Sequence, residues 1–287
     1  MLNDISASLR ARLALEKAGF RFTHSLGQNF IFDEALLDEI ARCAGADEGV
    51  NVLEIGPGAG LLTSALVSRG ARVLAIELDR ALAPVLEEVL AGTDRARVVF
   101  TDAMRADIPA LADKAFGGQE YVVAANLPYY ITADFIARVI GLEKPPRSVT
   151  VMVQREAAER ILAKPGDEKW CALAALSSFY CTGEWLMDVG RDAFTPPPHV
   201  DSALIRLTRR DELVVNRSDE RAFAGFIKSA FAMRRKTLAN NLSAAYGFSK
   251  TSVEAALENL DLDKRTRGES LTLESLSQLF YALKGDA

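Results

Sequence analysis

Apolar and polar residues along the chain follow a pattern that changes near residue 51. From there to about residue 163, short apolar runs of strand length alternate with segments whose apolar residues recur at helical spacing. The strand-like runs are NVLEIG, ARVLAIE, RARVVFTD, YVVAAN and RSVTVMV. Strands that alternate strictly with helices form a parallel sheet with helices on both faces. The pattern therefore predicts an α/β fold with a mostly parallel sheet.

The segments on either side of this alternation have different patterns. Before it, we predict helices over 7–18 and 34–44, the second capped by Asp33. After residue 170, a helix (CALAALSSFY) leads into two strands, EWLMDV and SALIRLTR, with the proline-rich loop FTPPPHV between them. Beyond Arg210 only helical spacing remains, over 218–232, 235–244, 250–258 and 270–283. We therefore expect an α/β domain over 1–210 and a small all-α domain over 211–287.

Composition excludes several classes of protein. No run of 18 apolar residues is present, and the first twenty residues lack the apolar core of a signal peptide, so we expect a cytoplasmic protein without a membrane span. The three cysteines (Cys43, Cys171 and Cys181) are widely spaced, and His24 and His199 have no partners at ligand spacing. We therefore expect neither disulfides nor a metal site.

Charge is segregated along the chain. The net charge of −5 and the pI of about 5.3 argue against a protein that coats nucleic acid by charge alone. Residues 226–250, however, carry five basic side chains and no acidic one, whereas residues 251–287 carry seven acids and four bases. The basic residues are Lys228, Arg234, Arg235, Lys236 and Lys250. A local basic surface is therefore predicted in the helical domain.

Three successive strand ends carry residues suited to one ligand. Gly56, Gly58 and Gly60 form a GxGxG turn after the first strand, where glycine lets the backbone approach a ligand closely. Leu61 stands where the dinucleotide fingerprint needs glycine. What remains, GxGxG with the acid Glu54 two positions before the first glycine, suits a cofactor without a pyrophosphate. Taken alone, the motif also fits a tight turn with no ligand.

Two acids follow the next two strands. Glu77 ends the second strand, where a carboxylate can accept both hydroxyls of a ribose. Asp102 ends the third strand and can accept from an adenine amino group, with the Ala103 backbone beside it. Each acid alone is commonly a solvated loop residue or a helix cap. Together, at the carboxyl ends of adjacent strands, they predict an adenosine-like ligand without phosphates, and S-adenosylmethionine fits.

The fourth strand ends in Asn126-Leu127-Pro128-Tyr129. Adenine N6 is a poor nucleophile because its lone pair is delocalised into the ring. A site that methylates it must align it with the sulfonium methyl group and accept hydrogen bonds from its N–H groups. The Asn126 side-chain carbonyl and the Leu127 or Pro128 backbone carbonyl suit this role, and Tyr129 can stack on a base taken out of its helix. The alternative is a strand that ends in a turn with buried tyrosines; Tyr130 in particular also fits a core position.

These motifs, with THSLGQNFI (23–31), FTPPPHVDS (194–202) and MRRKTLANNL (233–242), resemble the bacterial KsgA-type small-subunit rRNA adenine dimethyltransferases and their eukaryotic and mitochondrial relatives. The resemblance covers about residues 20–285. It implies a Rossmann-like class I S-adenosylmethionine-dependent methyltransferase fold, with a mostly parallel sheet and a helical RNA-binding domain. It also implies N6,N6-dimethylation of two adjacent adenosines near the 3′ end of 16S rRNA, in the small ribosomal subunit, late in assembly.

The resemblance also implies roles for individual residues. Phe194 would be a second aromatic wall for the target base, in a loop shaped by Pro196 and Pro198. The basic run would face RNA phosphates. By motif match, the cofactor contacts would be Asn29, Ile31, Gly56, Glu77, Asp102 and Asn126. A monomer is expected.

Two departures from the family pattern concern RNA contact. Residues 21–25, RFTHS, lack the family's usual lysines, and the tract at 170–173, WCAL, differs from its usual tyrosine-glycine. Two alternatives stay open: a resistance methylase of large-subunit rRNA, which shares many of these motifs, and an assembly or transcription factor that keeps the fold without catalysis. The set of Glu77, Asp102 and Asn126 argues against the second, since a pure binding protein needs none of them.

Overall fold

The computed structural model describes residues 5–22 and 27–285. The start of the THSLGQNFI motif, including His24, therefore lies outside the described residues. The helices and strands are, in chain order, α1 (Ala7–Lys17), β1 (Phe30–Ile31), α2 (Glu34–Cys43), β2 (Asn51–Ile55), α3 (Leu61–Ser68), β3 (Arg72–Glu77), α4 (Ala83–Val89), β4 (Ala96–Phe100), α5 (Ile108–Phe116), β5 (Val122–Asn126), α6 (Thr132–Val139), β6 (Ser148–Gln154), α7 (Arg155–Ile161), α8 (Ala172–Tyr180), β7 (Cys181–Val189), β8 (Phe194–Thr195), β9 (Ser202–Arg209), α9 (Glu220–Ala230), α10 (Leu238–Tyr246), α11 (Lys250–Glu258) and α12 (Leu273–Gly285).

The main sheet has seven strands in the order β4-β3-β2-β5-β6-β9-β7. The pairs among β4, β3, β2, β5 and β6 are parallel, and β9 runs antiparallel to β6. The central strands β2 and β5 are buried almost throughout, as expected for strands covered on both faces, whereas β4 at the edge is half-exposed. The predicted mostly parallel α/β sheet is confirmed. Because β2, β3, β4 and β5 run in one direction, their carboxyl ends lie along one edge.

A second, two-stranded sheet was not predicted. Phe30 and Ile31 of β1 pair antiparallel with Thr195 and Phe194 of β8. This ladder joins two motifs that lie more than 160 positions apart in the sequence. Short strands of two residues leave no periodic pattern, so only the packed structure shows the pairing.

The chain divides into two compact units. Unit 1 comprises residues 1–158 and 184–209, and its core lies between the sheet and the helices α1 to α4. Unit 2 comprises residues 159–183 and 210–287. The chain passes from unit 1 to unit 2 for the last time at residue 210, where the sequence pattern places the domain boundary. Residues 159–183, which that pattern assigns to the first domain, instead group with the C-terminal helices.

The core of unit 2 is aromatic. The Phe223 ring lies 5.1 Å from Phe179 and 5.5 Å from Phe280, centroid to centroid, and Phe226 also contacts Phe280 at 5.5 Å. Phe179 belongs to α8, in the segment 159–183, so burial of this ring explains why that segment packs with α9 and α12. Helix α10 begins at Leu238 rather than at the predicted 235, because Thr237 is its N-cap and accepts from the Asn240 N–H.

Candidate active site

A tight glycine turn, residues 56–60, connects β2 to α3. Gly56, Gly58 and Gly60 have φ angles of 70°, 56° and 79°, in the left-handed region that favours glycine. A Cβ on Gly58 would lie 2.8 Å from Cε1 of Phe30, so a side chain there would displace the Phe30 ring. The backbone of the turn is therefore free to approach a ligand, as the sequence predicts.

Glu77 ends β3 and is hydrogen-bonded to this turn. Its Oε2 accepts from the Gly58 N–H at 3.1 Å, and its Oε1 accepts from the Asp79 N–H at 2.8 Å. Burial raises the pKa of Glu77, and these two hydrogen bonds oppose the shift. Asp79 in turn accepts from Nε2 of Gln28 at 2.8 Å, which ties the N-terminal loop to the end of β3. The carboxylate of Glu77 is thus fixed in position.

Asp102 lies just beyond β4, in a loop that is fixed from two sides. Its Oδ1 accepts from the Met104 N–H at 2.8 Å. The guanidinium of Arg138, on α6, donates to the carbonyls of Ala103 and Ala106. Asp102 remains partly exposed, with Arg105 at 3.6 Å. The loop can therefore present both the Asp102 carboxylate and the backbone beside it to a ligand.

Asn126 ends β5 and contacts the N-terminal loop. Its Nδ2 donates to the Asn29 carbonyl at 2.9 Å, so the amide group is oriented by a partner 97 positions away. The same loop packs on the next turn, because a Cβ on Gly27 would lie only 2.9 Å from Cβ of Pro128. The Pro128 carbonyl accepts from the Ile131 N–H and from Oγ1 of Thr132, both at 3.2 Å. The Pro128 carbonyl, one of the two predicted to receive the target amine, therefore already has two partners within the chain.

The strand ends surround a cavity of about 230 Å³, lined entirely by residues of unit 1. The structure brings most of the predicted site residues together there. Those that line the cavity are Asn29, Ile31, Gly56, Gly58, Glu77, Asp102, Ala103, Asn126 and Pro128.

Three predicted residues do not line this cavity. Leu127 and Phe194 are 2% and 3% exposed and belong to the core, with Phe194 opposite Ile31 in the small ladder. The Tyr129 hydroxyl is 3.0 Å from Oγ of the buried Ser202. Tyr130, for which a core position was the alternative, is 60% exposed and lines the cavity. Two adjacent tyrosines thus have opposite environments, which no local pattern distinguishes.

Glu54, the acid two positions before Gly56, belongs to the predicted glycine motif, but the sequence assigns it no separate role. It lies on β2, is 1% exposed and lines the cavity. Its Oε2 accepts from Oγ1 of Thr63 at 2.6 Å. Burial and the neighbouring Glu77 raise the pKa of Glu54 to about 8, and the Thr63 hydrogen bond opposes the shift. Gln28, which also lines the cavity, was missed as well, since its contact with Asp79 joins distant segments.

The basic segment, residues 228–236, belongs to unit 2 and includes the end of α9 and the loop before α10. Lys228, Arg234, Arg235 and Lys236 are all exposed. Arg234 lies 3.3 Å from the Glu269 carboxylate, which partly neutralises it. The described residues give Arg235 and Lys236 no comparable ion pair. A surface of this kind is typical of contact with phosphates.

Metal-binding clusters and membrane-spanning helices were sought among the described residues. Within 5–22 and 27–285, no group of three or more His, Cys, Asp and Glu side chains is arranged to hold a metal ion. In the same part of the chain, no helix is long and apolar enough to cross a membrane.

Residues 19–284 match the family model described as ribosomal RNA adenine dimethylase. The chain belongs to this family. Similar proteins in Bacillus licheniformis and Shouchella clausii are both named ribosomal RNA small subunit methyltransferase A. The first is 41% identical and covers 99% of both chains; the second is 38% identical and covers 98% of this chain and 96% of its own.

Two solved structures are similar over most of the chain. The dimethyladenosine transferase of Plasmodium falciparum has a TM-score of 0.72 at 26% identity, covering 88% of this chain and 96% of that one. The 23S rRNA methyltransferase ErmE has a TM-score of 0.66 at 28% identity, covering 89% and 100%. The predicted fold, the enzyme class, the cofactor S-adenosylmethionine and ribosomal RNA as the substrate class are thereby confirmed for this rRNA adenine dimethylase.

The described residues fit this cofactor. Gly56 and Gly58 line the cavity with backbone that carries no side chain of its own, and Glu77 and Asp102 present carboxylates at adjacent strand ends. Buried Glu54 carries an oxygen, Oε1, that makes no hydrogen bond with any described residue. Such a cavity suits a compact ligand with hydroxyl, amino and cationic groups.

Proposed function

We propose that this rRNA adenine dimethylase transfers two methyl groups to N6 of each of two adjacent adenosines near the 3′ end of 16S rRNA, in the small ribosomal subunit, late in assembly. The observation that carries the proposal is the position of Asn126, at the end of β5 and on the same cavity as Glu77 and Asp102. The small-subunit substrate is favoured by the names of the similar Bacillus and Shouchella proteins.

The proposed cofactor orientation follows the order of the strands. Asp102 on the β4 side would accept a hydrogen bond from the adenine amino group of the cofactor. Glu77 at the end of β3 would accept hydrogen bonds from the ribose hydroxyls. The glycine turn after β2 would hold the amino-acid part. The reacting methyl would then face Asn126 on β5. Ile31, held by the β1–β8 ladder, and Asn29, held by Asn126, would close the other side.

The residues of the chain act by alignment. S-adenosylmethionine, when bound, supplies an electrophilic methyl group on a sulfonium. Asn126 Oδ1 would accept a hydrogen bond from one N–H group of the target amine and the Leu127 or Pro128 backbone carbonyl from the other, which would direct the nitrogen lone pair at the methyl. Because the Asn126 amide is already held by Asn29, little reorganisation is needed at the moment of transfer. The proton leaves N6 after the new bond forms, and water can accept it.

The two tyrosines would hold the base in different ways. The Ser202 contact fixes the orientation of Tyr129, as stacking on an extruded base requires. Exposed Tyr130 would cover the base from the mouth of the cavity. Phe194, buried opposite Ile31, would support the β1–β8 ladder rather than touch the base. Exposed Lys228, Arg235 and Lys236 would bind RNA phosphates. We further propose that the enzyme acts as a monomer in the cytoplasm.

A second candidate substrate is large-subunit rRNA, because the ErmE structure is similar over 89% of this chain. One experiment separates the two. The full chain is incubated with S-adenosylmethionine and, separately, with small subunits from a strain lacking this methylation and with 23S rRNA. Digests are then analysed by mass spectrometry for N6,N6-dimethyladenosine.

We expect two adjacent adenosines of the small subunit to gain two methyls each. Modification of 23S rRNA alone would overturn the substrate proposal while leaving the cofactor site intact. Transfer to neither RNA, together with loss of cofactor binding in calorimetry, would instead favour an assembly factor without catalysis.

A further inference from the structure

Arg138 lies in the last turn of α6 and contacts the loop that follows β4. Its side chain is half-buried, and its guanidinium donates through Nη1 to the Ala103 carbonyl and through Nη2 to the Ala106 carbonyl, the second at 2.6 Å. The described residues give Arg138 no carboxylate partner, so its hydrogen bonds serve this loop. Hydrogen bonds from a charged donor are stronger than neutral ones, and two of them here hold one short loop.

The peptide group between Ala103 and Met104 connects Arg138 to Asp102. Its carbonyl accepts from the Arg138 guanidinium, and its N–H donates to Oδ1 of Asp102 at 2.8 Å. The C=O and N–H of a planar trans peptide point in opposite directions, so a partner that fixes one also fixes the other. Arg138 therefore sets the direction of the N–H that holds the Asp102 carboxylate.

Other hydrogen bonds in the loop do not replace this one. The Asp102 backbone carbonyl accepts from the N–H groups of Arg105 and Ala106, at 3.0 and 2.8 Å, which closes the turn. Neither of these bonds involves the peptide group between Ala103 and Met104. Because Ala103 is buried, removing the guanidinium would leave its carbonyl without this partner and would favour rotation of the peptide.

The loop, rather than Arg138 itself, meets the cavity. Asp102, Ala103 and Met104 line it, whereas the Arg138 side chain contacts the loop and does not line the cavity. Any effect of Arg138 on a ligand must therefore pass through the loop. In the cofactor orientation proposed above, the Asp102 carboxylate accepts a hydrogen bond from the adenine amino group, and such a bond weakens when its geometry is disturbed.

We propose that Arg138 is a positioning residue that makes the enzyme selective for the 6-amino group of the cofactor's adenine. It orients the peptide between Ala103 and Met104, and this peptide orients the Asp102 carboxylate before the cofactor binds. A site that is built to pair with an amino group rejects a ligand that lacks it, and this discrimination depends on an acceptor held in place. The inference rests on the cofactor orientation proposed above.

Calorimetry of the full chain with two ligands tests this role without any methyl transfer. The ligands are S-adenosylhomocysteine and its 6-deamino analogue, in which hydrogen replaces the adenine amino group. Both have the same charge, ribose and amino-acid part, so the ratio of their dissociation constants reports the amino group alone. We expect the unmodified chain to bind S-adenosylhomocysteine roughly ten- to a hundredfold more tightly than the analogue.

Arg138→Met keeps an unbranched side chain and removes both donors. The preference for S-adenosylhomocysteine should fall by about fivefold or more, through weaker binding of that ligand, while affinity for the analogue stays within about twofold. The matched control is Arg209→Met. Arg209 is also half-buried and also donates to a backbone carbonyl, that of Ile140 at 2.8 Å, outside the Asp102 loop. Its variant should keep the full preference even if its melting temperature falls.

Arg138→Gln, which is polar but too short to reach both carbonyls, replaces Arg138→Met should the latter fail to fold. An unchanged preference in the Arg138 variant would overturn the inference alone. An equal loss of preference in Arg209→Met would also overturn it, since any lost arginine contact would then disturb the loop. Equal affinity of the unmodified chain for the two ligands would contradict the proposed position of adenine at Asp102 and the inference together.

Discussion

The cavity of unit 1 and the basic segment of unit 2 hold their charged groups in opposite ways. Around the cavity, Glu54 and Glu77 are buried, and hydrogen bonds fix the carboxylate of Glu77 and the amide of Asn126. In the basic segment, Arg235 and Lys236 are exposed and have no ion pair within the described part of the chain. A reacting methyl group requires positions fixed before the ligand arrives, whereas phosphates require only positive charge within reach. Single substitutions should therefore lower the activity of the enzyme strongly at the cavity and only weakly in the basic segment.

The largest effect is expected for Asn126→Ala. This change removes both the acceptor for the target amine and the amide that holds Asn29. Methyl transfer should fall by about 10² to 10³-fold, as when one preorganised hydrogen-bonding group is removed from an active site. Mass spectrometry of methylated small subunits measures the rate, and circular dichroism checks the fold. The control is Asn259→Ala, at an exposed asparagine of unit 2. Full activity in Asn126→Ala would contradict the expectation that substitutions at the cavity have larger effects than those in the basic segment.

The next effect concerns stability and pH at Glu54. Below pH 4.5 the carboxyl holds a proton in both the folded and the unfolded chain; between pH 4.5 and about 8 only the unfolded chain ionises. The folded state therefore binds more protons in this window, and its free energy of unfolding falls as the pH rises. Relative to Glu54→Gln, the unmodified chain should lose roughly 2 to 4 kcal/mol between pH 5 and pH 8. Urea denaturation across that range measures the difference. Parallel pH profiles for the two proteins would show that Glu54 ionises freely in the folded chain.

A smaller effect is expected for Arg235→Ala in the basic segment. Loss of one phosphate contact should weaken binding to small-subunit rRNA by about three- to tenfold and reduce the slope of log K against log salt by about 1. The rate of methyl transfer at saturating RNA should not change. The control is Lys264→Ala, which removes an exposed lysine lying 3.9 Å from Glu258. A change in rate at saturation, with the salt slope intact, would mean that Arg235 acts in catalysis rather than in binding.

The smallest effect is expected for Arg234→Ala. Its guanidinium already lies 3.3 Å from the Glu269 carboxylate, so less of its charge is available to a phosphate. Binding should weaken by less than about twofold. Glu269→Gln should free the guanidinium and make the affinity more sensitive to Arg234→Ala, which a double-mutant cycle on RNA binding measures. An Arg234→Ala effect equal to that of Arg235→Ala would show that Glu269 does not compete with the RNA.

The sheet and the chemistry at its edge follow from local patterns in the amino-acid sequence. Alternating strand and helix periods are local signals, and the residue at which a strand ends can be located from the turn residues that follow it. Gly56, Glu77, Asp102 and Asn126 can therefore be assigned to one ligand from the strand ends alone, because parallel strands end at the same edge. The all-α character after Arg210 is predicted in the same way.

How these residues are held depends on contacts that form only when the chain packs. The β1–β8 pairing, the Gln28–Asp79 bond and the hold of Asn126 on Asn29 join positions far apart in the chain. The different environments of Tyr129 and Tyr130, and the proton on Glu54, depend on what packs around each side chain. The packing of 159–183 in unit 2 depends on the Phe179 ring. Burial and pairing of this kind are properties of neighbours in space, and a local pattern of residues carries no record of them.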